Sequence, residues 1–113
     1  MQELIDDFIA MNQEGLVLEL CEKYYDDKVL MLNNGTIFAE SMRESYEKQK
    51  GFVESVKEFD IKLITQIIEE NYAELTFDYK MIGKSSNVTK FIGKHIQTWK
   101  NGKIIKEEYV SIS

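Results

Sequence analysis

The end of the chain contains the pattern that most restricts its fold. Two runs rich in β-branched and aromatic residues, 91–100 and 103–113, flank the dipeptide Asn101-Gly102. Asn-Gly between such runs is a strong short-range signal for a β-hairpin, because both residues tolerate the positive φ angles of a two-residue turn. We therefore predict two paired antiparallel strands here. The first strand contains the only histidine, His95, and the only tryptophan, Trp99.

Strand-like alternation extends back to residue 59. Apolar and aromatic residues at 73, 75, 77, 79 and 81 alternate with polar residues and Tyr72, which predicts one core face and one polar face. In the preceding segment, Phe59, Ile61 and Leu63 point one way, and Ile64 and Ile68 point the other way. That arrangement predicts a strand covered on both faces.

The first part of the chain follows helical spacing. Apolar residues at 4, 5, 8 and 9 and again at 16, 17, 20, 21 and 24 predict two amphipathic helices with Asn12 capping the second, or one bent helix. The apolar run 29–32 and the turn at 33–36 predict a small hairpin whose first strand is buried on both faces. A capping box from Ser41 to Glu44 predicts a third helix, whose inner side comprises Met42, Tyr46, Gln49 and Val53.

Length and composition indicate one soluble domain, residues 1–113, with a net charge of −6. Residues 1–60 contain 14 acidic and 6 basic side chains, which opposes nucleic-acid binding. No apolar run is long enough for a membrane span, so we expect no membrane partner and a cytoplasmic location. The lone Cys21 excludes an intrachain disulfide and fits a small buried core residue.

The order of predicted elements resembles the nuclear transport factor 2-like fold. Helix, helix, short hairpin, helix and four long strands match its α+β class, a cone-shaped α+β barrel in which three N-terminal helices pack in a strongly bent, mainly antiparallel sheet. The segments YDDKV (25–29), SMRESY (41–46) and WKNGKI (99–104) are most similar to the SnoaL-like branch. The resemblance extends over essentially the whole chain, but the fold hosts both enzymes and binding domains.

The resemblance implies particular site residues. SnoaL-like cyclases use a histidine on the penultimate strand, matched here by His95, and an acidic residue on the last strand. The second position falls at or near Tyr109, so Glu107 is the nearest acidic substitute. In ketosteroid isomerases, the base is an aspartate at a position that aligns with Leu32 or Asn33, neither of which can act as a carboxylate base.

The hairpin register can also be considered from the residues. A two-residue loop pairs His95 with Glu108, whereas a three-residue loop pairs His95 with Glu107 and places Gln97, Ile105 and Tyr109 on the histidine face. Its mixed lining suits a small-molecule pocket, and we favour the three-residue loop because the pocket face of the family that the chain resembles would require it. A histidine beside a carboxylate can act as a general base. The same two residues can also form an ordinary cross-strand pair.

We therefore predict a small, largely apolar organic ligand in the cone and cofactor-free proton transfer at a carbon next to a carbonyl group. The predicted catalytic residues are His95, Glu107 and Tyr109, and the predicted ligand-binding residues are Gln97, Tyr79, Trp99 and Tyr46. A single histidine and a single cysteine argue against a metal site. The alternative is a non-catalytic ligand-binding or accessory domain. In both cases we expect a homodimer formed through the outer sheet face.

Overall fold

The computed structural model describes residues 1–112 and contains three helices and six strands in the predicted order. Ser113, which was included in the last predicted strand, lies outside the described residues. The elements are α1 (Gln2–Gln13), α2 (Val17–Tyr24), β1 (Tyr25–Asn33), β2 (Thr36–Ala39), α3 (Met42–Ser55), β3 (Val56–Glu69), β4 (Tyr72–Gly83), β5 (Val88–Lys100) and β6 (Lys103–Ser111).

The six strands form one mixed sheet in the order β2-β1-β6-β5-β4-β3. Neighbouring strands are antiparallel except for β1 and β6, which are parallel. Shifts in register interrupt β1, β3 and the β5–β6 pair, and such bulges increase local bending and twist. Among the described residues, no helix is both long and apolar enough to cross a membrane.

The core lies between the helices and the inner face of the sheet. The predicted alternation of β4 is confirmed, because Ala73, Leu75, Phe77 and Tyr79 are all buried. Helices α1 and α2 contribute an apolar side to the same core: Ile5, Phe8, Ile9, Leu20, Cys21 and Tyr24. Cys21 has no exposed surface, and burial raises the pKa of its thiol to about 11, which confirms its interpretation as a core residue.

Two strand predictions were wrong about burial. β3 is an edge strand, and its outer face has no covering layer, because Ile64 and Ile67 on that face are 50–51% exposed. In β1, Val29 and Met31 are buried, but the residues between and after them are only partly buried. β1 therefore has one core face instead of two.

The junction between α1 and α2 also differs from the prediction. Two separate helices are present, but Asn12 does not cap α2. That helix begins after Leu16, which makes no side-chain capping bond. The chain turns at Gly15, where φ is +74° and a Cβ atom would lie 2.4 Å from the Phe59 ring. Asn12 instead continues the buried side of α1 and is 6% exposed.

The start of α3 confirms the predicted cap. The Glu44 amide donates to Ser41 Oγ at 3.0 Å, and the Glu44 carboxylate accepts from the Glu40 amide at 2.7 Å. The predicted inner side is only partly correct. Ser45 is the buried residue of this helix, whereas Met42 and Tyr46 pack partly buried against the core.

The terminal hairpin has a register that differs from both predicted alternatives. Asn101 and Gly102 form a two-residue turn with φ angles of 51° and 78°, and Lys100 pairs with Lys103. A bulge follows, because Trp99 pairs with Ile104 but Thr98 pairs with Lys106. This extra residue on β6 places Glu107 opposite Gln97, and Tyr109 opposite His95. The favoured three-residue loop was wrong, yet Glu107 still lies on the histidine face.

Candidate functional site

A cavity of about 340 Å³ lies between the helices and the inner face of the sheet. This volume falls within the usual range for small-molecule sites, about 300–1,000 Å³. Its wall is largely apolar, with aromatic side chains from helices and strands: Phe8, Phe38, Phe52 and Phe91. The wall also contains a connected polar group, Tyr79, His95 and Glu107, with Tyr109 beside it. Such a wall favours an apolar ligand oriented by a few polar contacts.

Glu107 is the centre of the polar group, although it is only 2% exposed. Its Oε1 accepts a hydrogen bond from Tyr25 Oη at 2.9 Å, and its Oε2 accepts one from Gln97 Nε2 at 2.7 Å. His95 Nδ1 lies 3.4 Å from Oε1. Burial alone would raise the pKa of Glu107, but the charge of His95 and the hydrogen bonds from Gln97 and Tyr25 hold it below its ordinary value. The side chain is therefore a buried carboxylate at neutral pH.

The imidazole of His95 connects this carboxylate to Tyr79. His95 Nε2 lies 2.7 Å from Tyr79 Oη, and Asn12 Nδ2 donates to the same oxygen at 3.1 Å. Because Asn12 is a donor here, the tyrosine hydrogen is free to point at Nε2. The neutral imidazole then carries its hydrogen on Nδ1, which faces Glu107. We assign this tautomer from the hydrogen-bond partners.

Tyr79 is placed to donate a hydrogen bond. Burial raises the pKa of its hydroxyl, and the nearby Glu107 charge adds to this effect, whereas the hydrogen bond from Asn12 opposes it. The net pKa lies above the ordinary value of 10.0. Tyr79 therefore remains protonated at neutral pH, and its hydrogen can be directed either to His95 or to a ligand oxygen.

Aromatic rings hold the His95 imidazole in place. Phe77 and Tyr109 pack edge-on against it, with centroid distances of 5.6 Å and 5.4 Å. Tyr109 lies close over β5 because residue 93 is glycine; a Cβ atom there would lie 2.4 Å from the tyrosine ring. This packing reduces the freedom of the imidazole to rotate away from Glu107.

Comparison with solved structures identifies the fold of the chain. No family model and no curated protein matches the chain by sequence. Solved structures do match. A protein described as a SnoaL-like polyketide cyclase from a Jannaschia species gives a TM-score of 0.80 at 8% identity, covering 98% of this chain and 86% of that one.

Two further structures show the same similarity. A protein from Mesorhizobium loti, also described as SnoaL-like, has a TM-score of 0.78 and 18% identity, with 96% of each chain covered. A protein from Catenulispora acidiphila with a ketosteroid isomerase-like fold has a TM-score of 0.76 and 6% identity, covering 95% of this chain and 83% of that one. The chain has the nuclear transport factor 2-like fold. At these identities, the similarity shows the fold alone.

Within the nuclear transport factor 2-like fold, four of the seven predicted site residues line the cavity: His95, Glu107, Tyr109 and Tyr79. The other three do not. Gln97 lies behind Glu107 with no exposed surface, and its Oε1 accepts a hydrogen bond from Trp99 Nε1 at 3.0 Å. Trp99 is a core residue packed against Phe8 and Tyr24. Tyr46 packs beside the core under Arg43.

Two residues that hydrogen-bond to the polar group, Asn12 and Tyr25, were missed from the sequence. Asn12 occupies the last position of the series 5, 8, 9 and 12 on α1. A polar residue on an otherwise apolar stripe was the available signal. Tyr25 had no comparable local signal, because its contact with Glu107 spans 82 residues and depends on the parallel pairing of β1 with β6.

The cavity wall also includes the two positions that the isomerase resemblance assigned to an aspartate. Leu32 and Asn33 both line the cavity, so this part of the wall supplies no carboxylate. Across the described residues, no group of three or more His, Cys, Asp and Glu side chains could hold a metal ion. At this wall, the imidazole of His95 lies beside the carboxylate of Glu107.

Proposed function

We propose that the chain binds a small, largely apolar organic molecule in the cavity and transfers a proton at a carbon next to its carbonyl group. One observation carries this proposal: the continuous chain of contacts from buried Glu107 through His95 to Tyr79 at the wall of an apolar cavity. A carboxylate, an imidazole and a phenol in this order can orient, accept and donate protons.

The proposed step begins when Tyr79 turns its hydrogen from His95 Nε2 to the ligand carbonyl oxygen. This frees Nε2 to take a proton from the adjacent carbon, and the C–H bonding electrons move to form the enolate. The enolate oxygen is stabilised by the Tyr79 hydrogen bond. Glu107 stabilises the imidazolium, which then returns the proton to carbon. The net reaction is an isomerisation, in which the proton returns to a different carbon of the ligand, and it needs no cofactor.

Binding can be tested with β-naphthol, a flat phenol that resembles the enol form of a bicyclic ketone. We expect Tyr79→Phe to weaken β-naphthol binding about three- to tenfold, because the substitution removes one hydrogen bond and leaves the ring in place. Fluorescence titration measures the dissociation constant. The matched control is Tyr72→Phe, which removes a hydroxyl that contacts Glu74 and lies outside the cavity. Equal affinity in wild type and Tyr79→Phe would argue against the proposed binding mode.

A second candidate function is a non-catalytic homodimeric domain, and the outer sheet face supports it. Ile64, Ile67 and Ile112 are each at least half exposed, and together with Ile92 they border a shallow apolar pocket on this face. An apolar surface of this kind is typical of a subunit interface. The two functions share the cavity and differ in whether His95 performs chemistry.

We expect the wild type to sediment as a dimer and Ile67→Lys to sediment as a monomer, because the substitution places a charge in the proposed interface. Ile37→Lys is a suitable control. Ile37 is equally prominent, at 56% exposed, but lies on β2 at the other edge of the sheet. Analytical ultracentrifugation distinguishes the species. A wild-type monomer, or a dimer disrupted only by Ile37→Lys, would exclude the outer face as the interface.

A further inference from the structure

A second pocket of about 370 Å³ adjoins the cavity. Three apolar side chains, Phe52, Met81 and Phe91, line both spaces and separate them. We call this group the partition. Beyond it, the second pocket is bordered by the end of α3 and by the turn between β4 and β5, including Ser55, Lys84, Ser85, Asn87 and Thr89. The two spaces therefore have a common apolar wall and different far ends.

The strand register places the two spaces in line. On the inner face, Tyr79 pairs with Phe91, and the next inward pair along the same strands is Met81 with Thr89. The path from His95 to Thr89 along β5 covers six residues, which is about 20 Å at the usual rise of a strand. An extended molecule lying along β4 and β5 could reach from the polar group to the second pocket.

Two side chains of the partition, Phe52 and Met81, can move at little cost to the core. Phe52 is 47% exposed and follows Gly51 in the last turns of α3. A Cβ atom on Gly51 would meet nothing within 4 Å, so no packing contact requires glycine there. Met81 is only partly buried, and methionine side chains adapt readily to irregular spaces. Phe91 is stacked on Tyr79 at 4.8 Å and forms the fixed side of the partition.

We infer that the two pockets form one extended site for an amphipathic ligand, whose hydroxyl or carbonyl oxygen binds at Tyr79 and His95 and whose unbranched apolar tail passes the partition into the second pocket. This inference rests on the proposed function for its polar end and specifies the class of ligand. The far end opens toward exposed polar residues at the β4–β5 turn, so the tail can end in a polar group or in water.

A series of para-alkylphenols with tails from ethyl to hexyl tests the inference by isothermal titration calorimetry. In the wild type, we expect affinity to increase by about fourfold for each added methylene throughout the series, because each one is buried in apolar surroundings. Thr89→Trp fills the second pocket from β5, and Ser55→Trp fills it from α3. In both variants the increase should stop at a shorter tail, leaving hexylphenol at least tenfold weaker than in wild type.

Lys90→Trp is the matched control, because Lys90 is adjacent in sequence but lies on the outer face opposite Lys80. It should reproduce the wild-type dependence on tail length. The extended site is contradicted if the affinity of the wild type does not increase beyond ethylphenol. It is also contradicted if both Trp variants show the wild-type increase in affinity with tail length. Either result leaves the proposed function intact. If no phenol of any length binds the wild type, both proposals fail.

Discussion

Glu107→Ala is expected to destabilise the protein by about 3–5 kcal/mol, the usual cost of removing one partner from a buried ionic group. The reason lies in the groups left behind. Tyr25 and Gln97 each donate a hydrogen bond to the carboxylate, and His95 Nδ1, which has no hydrogen-bond partner among the described residues, lies 3.4 Å from it. Alanine leaves these two buried donors unsatisfied, removes the negative charge beside His95 and opens a small void. Urea denaturation followed by circular dichroism measures the free energy of unfolding.

The neighbouring glutamate provides the control. Glu108 lies on the opposite face of β6 and pairs with Ile96. We expect Glu108→Ala to change the free energy of unfolding by no more than about 0.5 kcal/mol, as for most surface substitutions. A similar loss in both variants would mean that the effect comes from the strand and not from the buried carboxylate.

The contribution of Glu107 to stability should also depend on pH. Its pKa is lower in the folded protein than the ordinary value of 4.5, so folding favours the ionised form. The stabilisation is therefore complete above that value and declines as the pH falls through it towards the folded-state pKa. The difference in unfolding free energy between wild type and Glu107→Gln should narrow over the same interval. A constant difference would contradict the assignment of a buried carboxylate.

His95→Gln is expected to lower the rate of catalysed proton exchange by about 100- to 10,000-fold, the range attributed to a positioned general base. A suitable substrate is β-tetralone, a bicyclic ketone with exchangeable hydrogens beside its carbonyl group. Proton NMR in deuterium oxide follows the loss of those hydrogens, after subtraction of the exchange rate without protein. Glutamine retains polarity and approximate size but cannot accept a proton at neutral pH.

Two accompanying measurements distinguish loss of the catalytic step from loss of ligand binding or of folding. β-Naphthol binding should persist in His95→Gln, because the Tyr79 hydroxyl remains available to the ligand oxygen. Thermal unfolding should show that the variant is folded. Proton exchange at the wild-type rate in His95→Gln would show that His95 is not the general base. If neither protein accelerates exchange but both bind β-naphthol, the result would favour the non-catalytic alternative.

Local sequence patterns were sufficient for the element order and for most of the polar group. The alternation along β4, the capping residues of α3 and the Asn101-Gly102 turn each depend on neighbouring residues, and all three are confirmed. The same signals could not reveal the bulge on β6. The extra residue lies between Ile104 and Lys106, in a segment of ordinary strand composition. No local sequence pattern therefore indicates the shift in register.

Tertiary packing decided the remaining differences. Asn12 has the residue type of a helix cap, but its position on the core side of α1 directs its amide to Tyr79. Gln97 was predicted as a ligand contact because it shares a face with His95, yet it accepts a hydrogen bond from Trp99 behind the cavity wall. Alternation along a strand predicts which face of the sheet a side chain lies on. Whether that side chain reaches the cavity depends on which other residues pack over it.

The position of β6 in the sheet has a consequence for folding. Within residues 1–112, β6 is the only strand paired with both β1 and β5, so it joins the β1–β2 hairpin to the β3–β5 meander. Its pairing with β1 closes a loop of about eighty residues, and such non-local pairing slows folding. Glu107 lies on this strand. The carboxylate can meet Tyr25 only after the two parts of the sheet have joined, so we expect the site to form among the last events of folding.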